Sequence, residues 1–151
     1  MWKSVCLILC LQASWTVAQQ PVEKVCDLFL QGISVDKGQE VNWEVLQSLF
    51  TSNAQFTLTM GEKVKTLSFK EFKSGTQYTK NGFREKAVSR KTTVFGNIAQ
   101  VAEIFEASIP GSEVRYEGVN MYLMVKDGAD WKIAALTYEV SRPGLPTPTD
   151  W

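Results

Sequence analysis

The sequence contains no histidine, so any proton transfer in this chain must use Asp, Glu, Tyr, Lys or Cys side chains. A Ser-His-Asp or Cys-His nucleophile, a histidine metal site and a histidine base are therefore excluded. A carboxylate in an apolar pocket is the strongest remaining proton carrier, since burial raises its pKa toward neutrality. The carboxylates lack metal-ligand spacing and no GxxxxGK[ST] phosphate loop is present, so we predict neither a metal nor a cofactor.

One candidate acid is Glu139, near the end of the last apolar strand-like segment. A strand alternates its side chains between two faces, and this rule puts Glu139 on the face of Ile133, Ala135 and Thr137. We expect its carboxylate to point into an interior pocket near the mouth, where it could act as a general base. The alternative is a solvated strand end that pairs with Arg142.

A second group of candidates lies in and near the segment NIAQVAEIFE, residues 97–106. Gln100 and Glu103 are an odd number of residues apart, so they occupy opposite faces of a strand and only one of them can line the interior. The inward one needs a hydrogen-bonding partner, and a paired structural role is the alternative to ligand contact for both. Arg90, in the preceding segment, could neutralise Glu103 or bind an anionic ligand.

Two tyrosines complete the candidate binding residues. Tyr122 shares a strand face with Asn120 and Met124, and its hydroxyl could donate to a ligand carbonyl, although an aromatic side chain in mid-strand also suits a core. Tyr78 is expected near the entrance of the pocket. The predicted ligand contacts are Tyr78, Arg90, Gln100, Glu103, Tyr122 and Glu139.

The elements that must position these residues follow from the spacing of apolar side chains. Residues 21–31 repeat them every three or four positions, which predicts a helix that Gly32 ends. A second short helix is predicted after Asn42, which can cap it. Segments of alternating polarity on either side of residues 60–62 indicate a hairpin. We expect the helices and the hairpin together to cover one face of a sheet.

The sheet is predicted from residues 82–143, where strand-like segments follow one another with turn residues between them. Asp127 and Gly128 indicate a tight hairpin between the last two strands. Under strict alternation both faces of the last strand are largely apolar, so we expect a homodimer that covers the outer face of the sheet. The Pro-rich residues 141–151 cannot form a central strand and are expected to be an extended tail.

The N-terminal residues have the pattern of a secretory signal, with Lys3, a short apolar run, and small residues at Thr16 and Ala18. Cleavage after Ala18 would give a signal peptide at residues 1–18 and a single domain at residues 19–151. The alternatives are an uncleaved anchor or a buried first helix, but the apolar run is shorter than the roughly 20 residues that a membrane span needs. We therefore expect a secreted or periplasmic protein.

Cysteine usage agrees with a fold that depends on packing. Removal of Cys6 and Cys10 with the signal peptide would leave Cys26 as the only cysteine, so no intramolecular disulfide could form. Cys26 shares a helical face with Val22 and Phe29, which favours a buried small hydrophobic side chain over a reactive thiol.

Charge and composition describe an ordinary globular domain. Sixteen Lys and Arg balance sixteen Asp and Glu, and 44% of the residues are hydrophobic. A length of 151 residues suits one domain. The balanced charge gives no strong field that would attract nucleic acid or an anionic membrane. We therefore predict no nucleic-acid partner, and no membrane partner after the signal is removed.

Three stretches of the chain carry a resemblance to known proteins: residues 82–90, residues 95–106 with the sequence FGNIAQVAEIFE, and residues 118–146 with a DGxWKI-type hairpin. Together they resemble the nuclear transport factor 2-like, or SnoaL-like, superfamily, and bacterial members in particular. The resemblance implies an α+β fold in which a cone-shaped, curved antiparallel sheet wraps around N-terminal helices, as in a cystatin-like α+β roll. The same fold hosts isomerases, dehydratases, hydrolases, cyclases and non-catalytic binding domains, so a reaction must be argued from the site.

The sequence departs from these relatives where they often have histidines, since Ser89 and Gln100 occupy those positions. This departure favours a non-catalytic domain that binds a small organic molecule. The alternative is a cofactor-independent isomerase, hydrolase or cyclase that uses Glu139 or Glu103 with Tyr122. A third hypothesis is an interaction module whose cone is filled by its own side chains. An enzyme requires a carboxylate and a tyrosine in an open cavity, a binding domain requires the cavity alone, and the module has none.

Overall fold

The computed structural model describes residues 21–60 and 62–149. The predicted signal peptide, with Cys6 and Cys10, lies outside these residues. The elements along the described chain are α1 (Val22–Ile33), α2 (Trp43–Ser48), β1 (Phe50–Met60), β2 (Lys63–Ser68), α3 (Phe69–Gly75), α4 (Tyr78–Asn81), β3 (Arg84–Phe95), β4 (Ile98–Ser108), β5 (Arg115–Asp127) and β6 (Asp130–Val140).

The strands form one curved, unclosed sheet in the order β2-β1-β6-β5-β4-β3. Neighbouring strands are antiparallel, except that β1 and β6 run parallel. The predicted hairpin is therefore present as β1 and β2, but the expectation that it covers a face of the sheet is wrong. It extends the sheet instead, because β1 supplies hydrogen-bonding partners to the otherwise open edge of β6.

Helix α1 packs against the concave face of this sheet and forms the core with it. Its apolar side chains repeat at helical spacing, and the buried set includes Val25, Phe29 and Ile33. The Phe29 ring lies edge-on to the ring of Tyr122 on β5, with centroids 6.3 Å apart. Burial of this apolar stripe stabilises the helix, which is too short to be stable alone. The predicted α+β roll, a curved sheet around N-terminal helices, is confirmed.

The junction of α1 and α2 corrects one predicted boundary. Helix α1 continues through Gly32 to Ile33. A Cβ atom at position 32 would lie 2.4 Å from Cδ2 of Leu46 on α2, so glycine allows the two helices to approach closely instead of ending the first. The predicted cap of α2 is confirmed, because Oδ1 of Asn42 accepts a hydrogen bond from the backbone nitrogen of Val45 at 3.1 Å.

A bulge in β3 decides which of its side chains face inward. The pairing with β4 passes from Ala87 to Ser89 and leaves Val88 without a partner. The extra residue resets the alternation of side chains along the strand. As a result Glu85 and Arg90, an odd number of residues apart, both lie opposite buried, inward-facing residues of β4.

A second bulge, at Ala134 in β6, has the same effect. Ile133 faces the core, and after the unpaired Ala134 the inward positions are Leu136 and Tyr138. The prediction that Glu139 shares a face with Ile133 is therefore wrong, because strict alternation does not hold across a bulge. The bulge also explains why both faces of this strand look apolar under strict alternation. Ile133 precedes the bulge, Leu136 and Tyr138 follow it, and all three point into the interior.

The last hairpin and the tail follow the sequence closely. Strand β5 ends at Asp127 and β6 begins at Asp130, with Gly128 between them at a φ of +64°. From residue 141 to residue 149 the chain forms no strand beyond a bridge between Arg142 and Leu145. None of the helices in the described ranges has the length and apolar content needed to cross a membrane.

Candidate functional site

A cavity of about 220 Å³ lies between the helices and the concave face of the sheet. Its wall is mostly aromatic and aliphatic, with a carboxylate, an amide and three phenols among its polar groups. Apolar walls with a few polar groups are typical of small-molecule sites. The lining residues are Phe29, Ile33, Phe72, Tyr78, Phe83, Glu85, Phe105, Ala107, Tyr116, Asn120, Leu136, Tyr138 and Val140.

The amide of Asn120 joins two acidic side chains at the centre of the concave face. Its Nδ2 atom donates to Oε1 of Glu85 at 2.8 Å and to Oε1 of Glu103 at 2.9 Å. Strand register explains the second contact, because Asn120 on β5 lies directly opposite Glu103 on β4. The reverse orientation of the amide would set its carbonyl oxygen against two carboxylates, so the donor arrangement is the favourable one.

Glu103 is fully buried and its charge is neutralised by protein groups. Arg90 Nε donates to its Oε2 at 2.5 Å, and Tyr122 donates its hydroxyl hydrogen to its Oε1 at 2.9 Å. Arg90 Nη1 also donates to Oδ1 of Asp27 on α1 at 2.6 Å, which ties the helix to the sheet. A buried carboxylate with this set of partners holds the fold together, and Glu103 does not line the cavity.

Glu85 is the carboxylate that does line the cavity. Burial raises its pKa to about 7, the hydrogen bond from Asn120 opposes this shift, and the nearby Glu103 adds to it. Its backbone is held by Ser34, whose Oγ accepts from the Glu85 nitrogen at 3.0 Å and donates to the Glu85 oxygen at 3.3 Å. A carboxylate with a pKa near neutrality can give and take a proton at physiological pH.

Two tyrosines lie on the cavity wall in the electrostatic environment of Glu85. Burial, together with the charge of Glu85, raises the pKa of both Tyr78 and Tyr138, so both phenols stay protonated. The ring of Tyr78 stacks on that of Phe83, with centroids 4.6 Å apart. Tyr78, which the sequence analysis expects near the entrance of the pocket, therefore lines the cavity.

Three other predicted contacts, Arg90, Glu103 and Tyr122, do not line the cavity. They form with Asn120 a set of hydrogen-bonded side chains that we call the buried network. Arg90 pairs with Glu103, one of the two roles considered for it from the sequence. Tyr122 is 1% exposed, burial raises its pKa well above the usual value, and its hydroxyl hydrogen goes to Glu103 instead of toward a ligand. Arg90, Glu103 and Tyr122 are therefore connected to the cavity through Asn120, which donates a hydrogen bond to Glu103 and lines the cavity itself.

The remaining two predicted contacts lie away from the cavity. Gln100 is exposed on the opposite face of β4 from Glu103, beside Lys91 and Thr93, so Glu103 is the inward member of that pair. The prediction that Glu139 points into the pocket is wrong, because the bulge in β6 turns its side chain to the convex side of the sheet. Its hydrogen bond with Arg142, at 2.5 Å, lowers its pKa.

Cys26 contributes to packing. It is fully buried, burial raises the pKa of its thiol to about 12, and its sulfur lies 4.0 Å from Sδ of Met124. A protonated, buried thiol is unreactive, as expected from its place on the helix. Within residues 21–60 and 62–149 there is no cluster of three or more His, Cys, Asp or Glu side chains that could hold a metal ion.

No protein-family model matches the chain, and no curated protein matches it by sequence. Solved structures do match. A protein with a cystatin-like fold from Nostoc punctiforme superimposes with a TM-score of 0.64 at 13% identity, over 83% of this chain and 91% of that one. A nuclear transport factor 2-like protein from Silicibacter pomeroyi does so with a TM-score of 0.57 at 13% identity, over 79% of this chain and 92% of that one.

The chain has the nuclear transport factor 2-like fold. Another protein with this fold, described as a candidate ketosteroid isomerase from Shewanella frigidimarina, matches with a TM-score of 0.58 at 18% identity, over 76% of this chain and 91% of that one. Identities at this level establish the common fold and leave the activity to be argued from the residues of the cavity.

Four polar residues of the cavity are absent from the predicted contacts: Glu85, Tyr116, Asn120 and Tyr138. Glu85 had a signal, because it stands between Phe83 and Ala87 on one face of a strand, and a single acid on an apolar face is unusual. Asn120 carries no signal beyond sharing a strand face with Tyr122. Strict alternation puts Tyr138 on the face opposite Ile133, which is wrong because the bulge in β6 leaves no mark in an alternating apolar pattern.

Proposed function

We propose that this chain is a domain that binds a small organic molecule in the cavity beside Glu85. The observation that carries the proposal is the cavity itself, about 220 Å³ in volume, with an apolar wall and a pair of hydrogen-bonding groups, Glu85 and Asn120. It counts against an interaction module filled by its own side chains, since such a module has no cavity. The volume suits a ligand smaller than a typical drug.

We also propose a secreted or periplasmic location and a homodimer through the convex face of the sheet. The location is supported by the signal pattern of residues 1–18. The dimer is supported by apolar side chains that stay exposed on the convex face, including Leu123 and Ile98, each 52% exposed. Exposed apolar patches on a sheet face are common at protein interfaces.

A proton-transfer enzyme is the second candidate, and Glu85 is the observation that favours it. Its pKa of about 7 suits a general acid or base, and the phenols of Tyr78 and Tyr138 line the same cavity. In that case Glu85, and not Glu103 or Glu139, would exchange a proton with the ligand, and a tyrosine would polarise it. One protein of the same fold is described as a candidate ketosteroid isomerase.

The test is to recover the protein under native conditions and to identify by mass spectrometry the small molecule that accompanies it. Ala107 lines the cavity, so Ala107→Leu should reduce the recovered ligand at least severalfold. Ala129 is exposed in the β5–β6 turn, and the matched Ala129→Leu should leave the ligand unchanged. A protein that is recovered empty and binds nothing in a fragment screen would contradict the proposal.

The same preparation separates binding from catalysis. A binding domain returns its ligand unchanged after prolonged incubation. An enzyme converts it, and Glu85→Gln, which keeps an acceptor for Asn120, should then hold the ligand without converting it. Conversion at an undiminished rate by Glu85→Gln would exclude Glu85 as the acid or base.

A further inference from the structure

The charges on the cavity wall are of one sign. Glu85 is the one carboxylate among the lining residues, and no Lys or Arg side chain of the described chain lines the cavity. The rest of the wall is rich in aromatic rings, whose faces carry partial negative charge. An anionic ligand would therefore meet repulsion from Glu85 without a compensating cation.

The charges behind the wall reinforce this sign. The carboxylates of Asp27, Glu85 and Glu103 belong to one hydrogen-bonded cluster, in which Arg90 contacts the first and the last and Asn120 connects Glu85 to Glu103. Arg90 pairs with Asp27 and Glu103, and Glu85 receives only the neutral amide of Asn120. When all are ionised the cluster is negative, and Glu85 is its member without a cationic partner in the described part of the chain.

Other charged and titratable groups near Glu85 do not cancel this charge. Tyr78 from α4 and Tyr138 from β6 face it as neutral phenols. The neighbouring basic side chains Arg84 and Lys86 point to the outside of β3, where they pair with Asp36 and Glu106. Arg115 lies with them along a solvent-open groove that Glu85 also lines, but among the described residues Glu85 forms no ion pair with any of the three.

We infer that the cavity selects a small organic cation, an amine or a quaternary ammonium, with its charged group beside Glu85 and against the rings of Tyr78, Phe83 and Tyr138. This inference rests on the proposed function, because it names the ligand class of the same cavity. Such a cation is attracted in two ways, by ion pairing with the carboxylate and by cation–π interaction with the aromatic rings around it. The cation supplies the positive charge that Glu85 otherwise lacks.

The protonation state of Glu85 gives the inference a signature in pH. Since the pKa of Glu85 is about 7 in the empty protein, a bound cation would favour the ionised form and release a proton. The affinity for a cation therefore rises with pH through neutrality. A neutral ligand that accepts a hydrogen bond from the protonated acid shows the opposite trend.

The test compares two probes of the same shape and different charge: choline and its neutral carbon analogue, 3,3-dimethylbutan-1-ol. Calorimetric titration should show choline binding at least tenfold more tightly than the alcohol at pH 8, and about tenfold more weakly at pH 6 than at pH 8. Glu85→Gln should reduce the preference for choline severalfold, to what the aromatic rings alone supply, and should remove its pH dependence without weakening the alcohol. Glu106→Gln is the matched control on the outer side and should change neither.

The outcomes separate the inference from the function it rests on. Equal binding of the two probes, or a preference for choline that is unchanged in Glu85→Gln, overturns the cation inference and leaves the binding domain in place. Tight binding of the alcohol with no binding of choline has the same meaning. Failure of both probes, together with a protein recovered empty, overturns both.

Discussion

Asn120 holds together two acidic side chains that would otherwise repel each other. One amide group gives a hydrogen bond to Glu85 and another to Glu103, yet the two carboxylates end with different properties. Glu103 has Arg90 as a cationic partner, whereas Glu85 has none within residues 21–60 and 62–149 and its pKa rises to about 7. Two carboxylates in contrasting environments are a common way to separate a structural role from a chemical one.

Glu85→Gln is predicted to stabilise the protein above pH 7. The folded state raises the pKa of Glu85 from 4.5 to about 7, so it keeps a proton that the unfolded chain releases between these values. The folded protein therefore loses stability as the pH rises through this window, by at most about 3 kcal/mol. Urea unfolding should show a higher midpoint for the variant at pH 8 and little difference at pH 5. The same pH dependence in both proteins would contradict this.

Glu103→Ala is predicted to destabilise the protein strongly. The change removes the acceptor for Arg90, Asn120 and Tyr122 and leaves a largely buried guanidinium with one partner fewer, a loss of about 3–5 kcal/mol. Glu106→Ala breaks only an exposed pair with Lys86 and should change the free energy of unfolding by less than about 1 kcal/mol. Chemical denaturation of both variants makes the comparison, and similar losses would show that the buried network is not structural.

At the scale of elements, the two bulges mark the limit of what the sequence predicts. The first two helices and the two hairpins follow from apolar spacing and turn residues, and the α+β roll follows from the resemblance to a known superfamily. Alternation along β4 leaves open whether Gln100 or Glu103 faces inward, and only the structure decides for Glu103. The inward positions of Arg90 and Tyr138 and the outward position of Glu139 depend on Val88 and Ala134. A bulge adds one residue without changing the composition of the strand, so period-two reasoning assigns every later side chain to the wrong face.

Gly32→Ala is predicted to weaken the contact between α1 and α2. The added methyl group would lie 2.4 Å from Cδ2 of Leu46, and the overlap should cost about 1–2 kcal/mol despite the better helix propensity of alanine. Gly75→Ala, in α3, meets no atom within 4 Å and should be neutral or mildly stabilising. Thermal unfolding distinguishes the two. Leu46→Ala should be less harmful in the Gly32→Ala protein than alone, and additive effects would argue against the clash.

At the scale of the whole molecule, the proposed homodimer depends on the convex face. Leu123 is 52% exposed there, and Leu123→Glu would place a charge in the proposed interface, which should shift the protein from dimer to monomer. Val64, 67% exposed on the edge strand β2, gives a matched control, because Val64→Glu lies three strands away. Size-exclusion chromatography with light scattering measures both. A monomeric parent protein, or a dimer that persists in Leu123→Glu, would refute the convex interface.

The parallel pairing of β1 with β6 affects how the chain reaches its native state. Strand β6 is the last strand in the chain but an inner strand of the sheet, so β1 and β5 have no common neighbour until the C-terminal residues have left the ribosome. Contacts between residues so far apart form slowly because they close long loops. Until β6 has left the ribosome, a nascent chain of this topology cannot join the β1–β2 hairpin to the rest of the sheet.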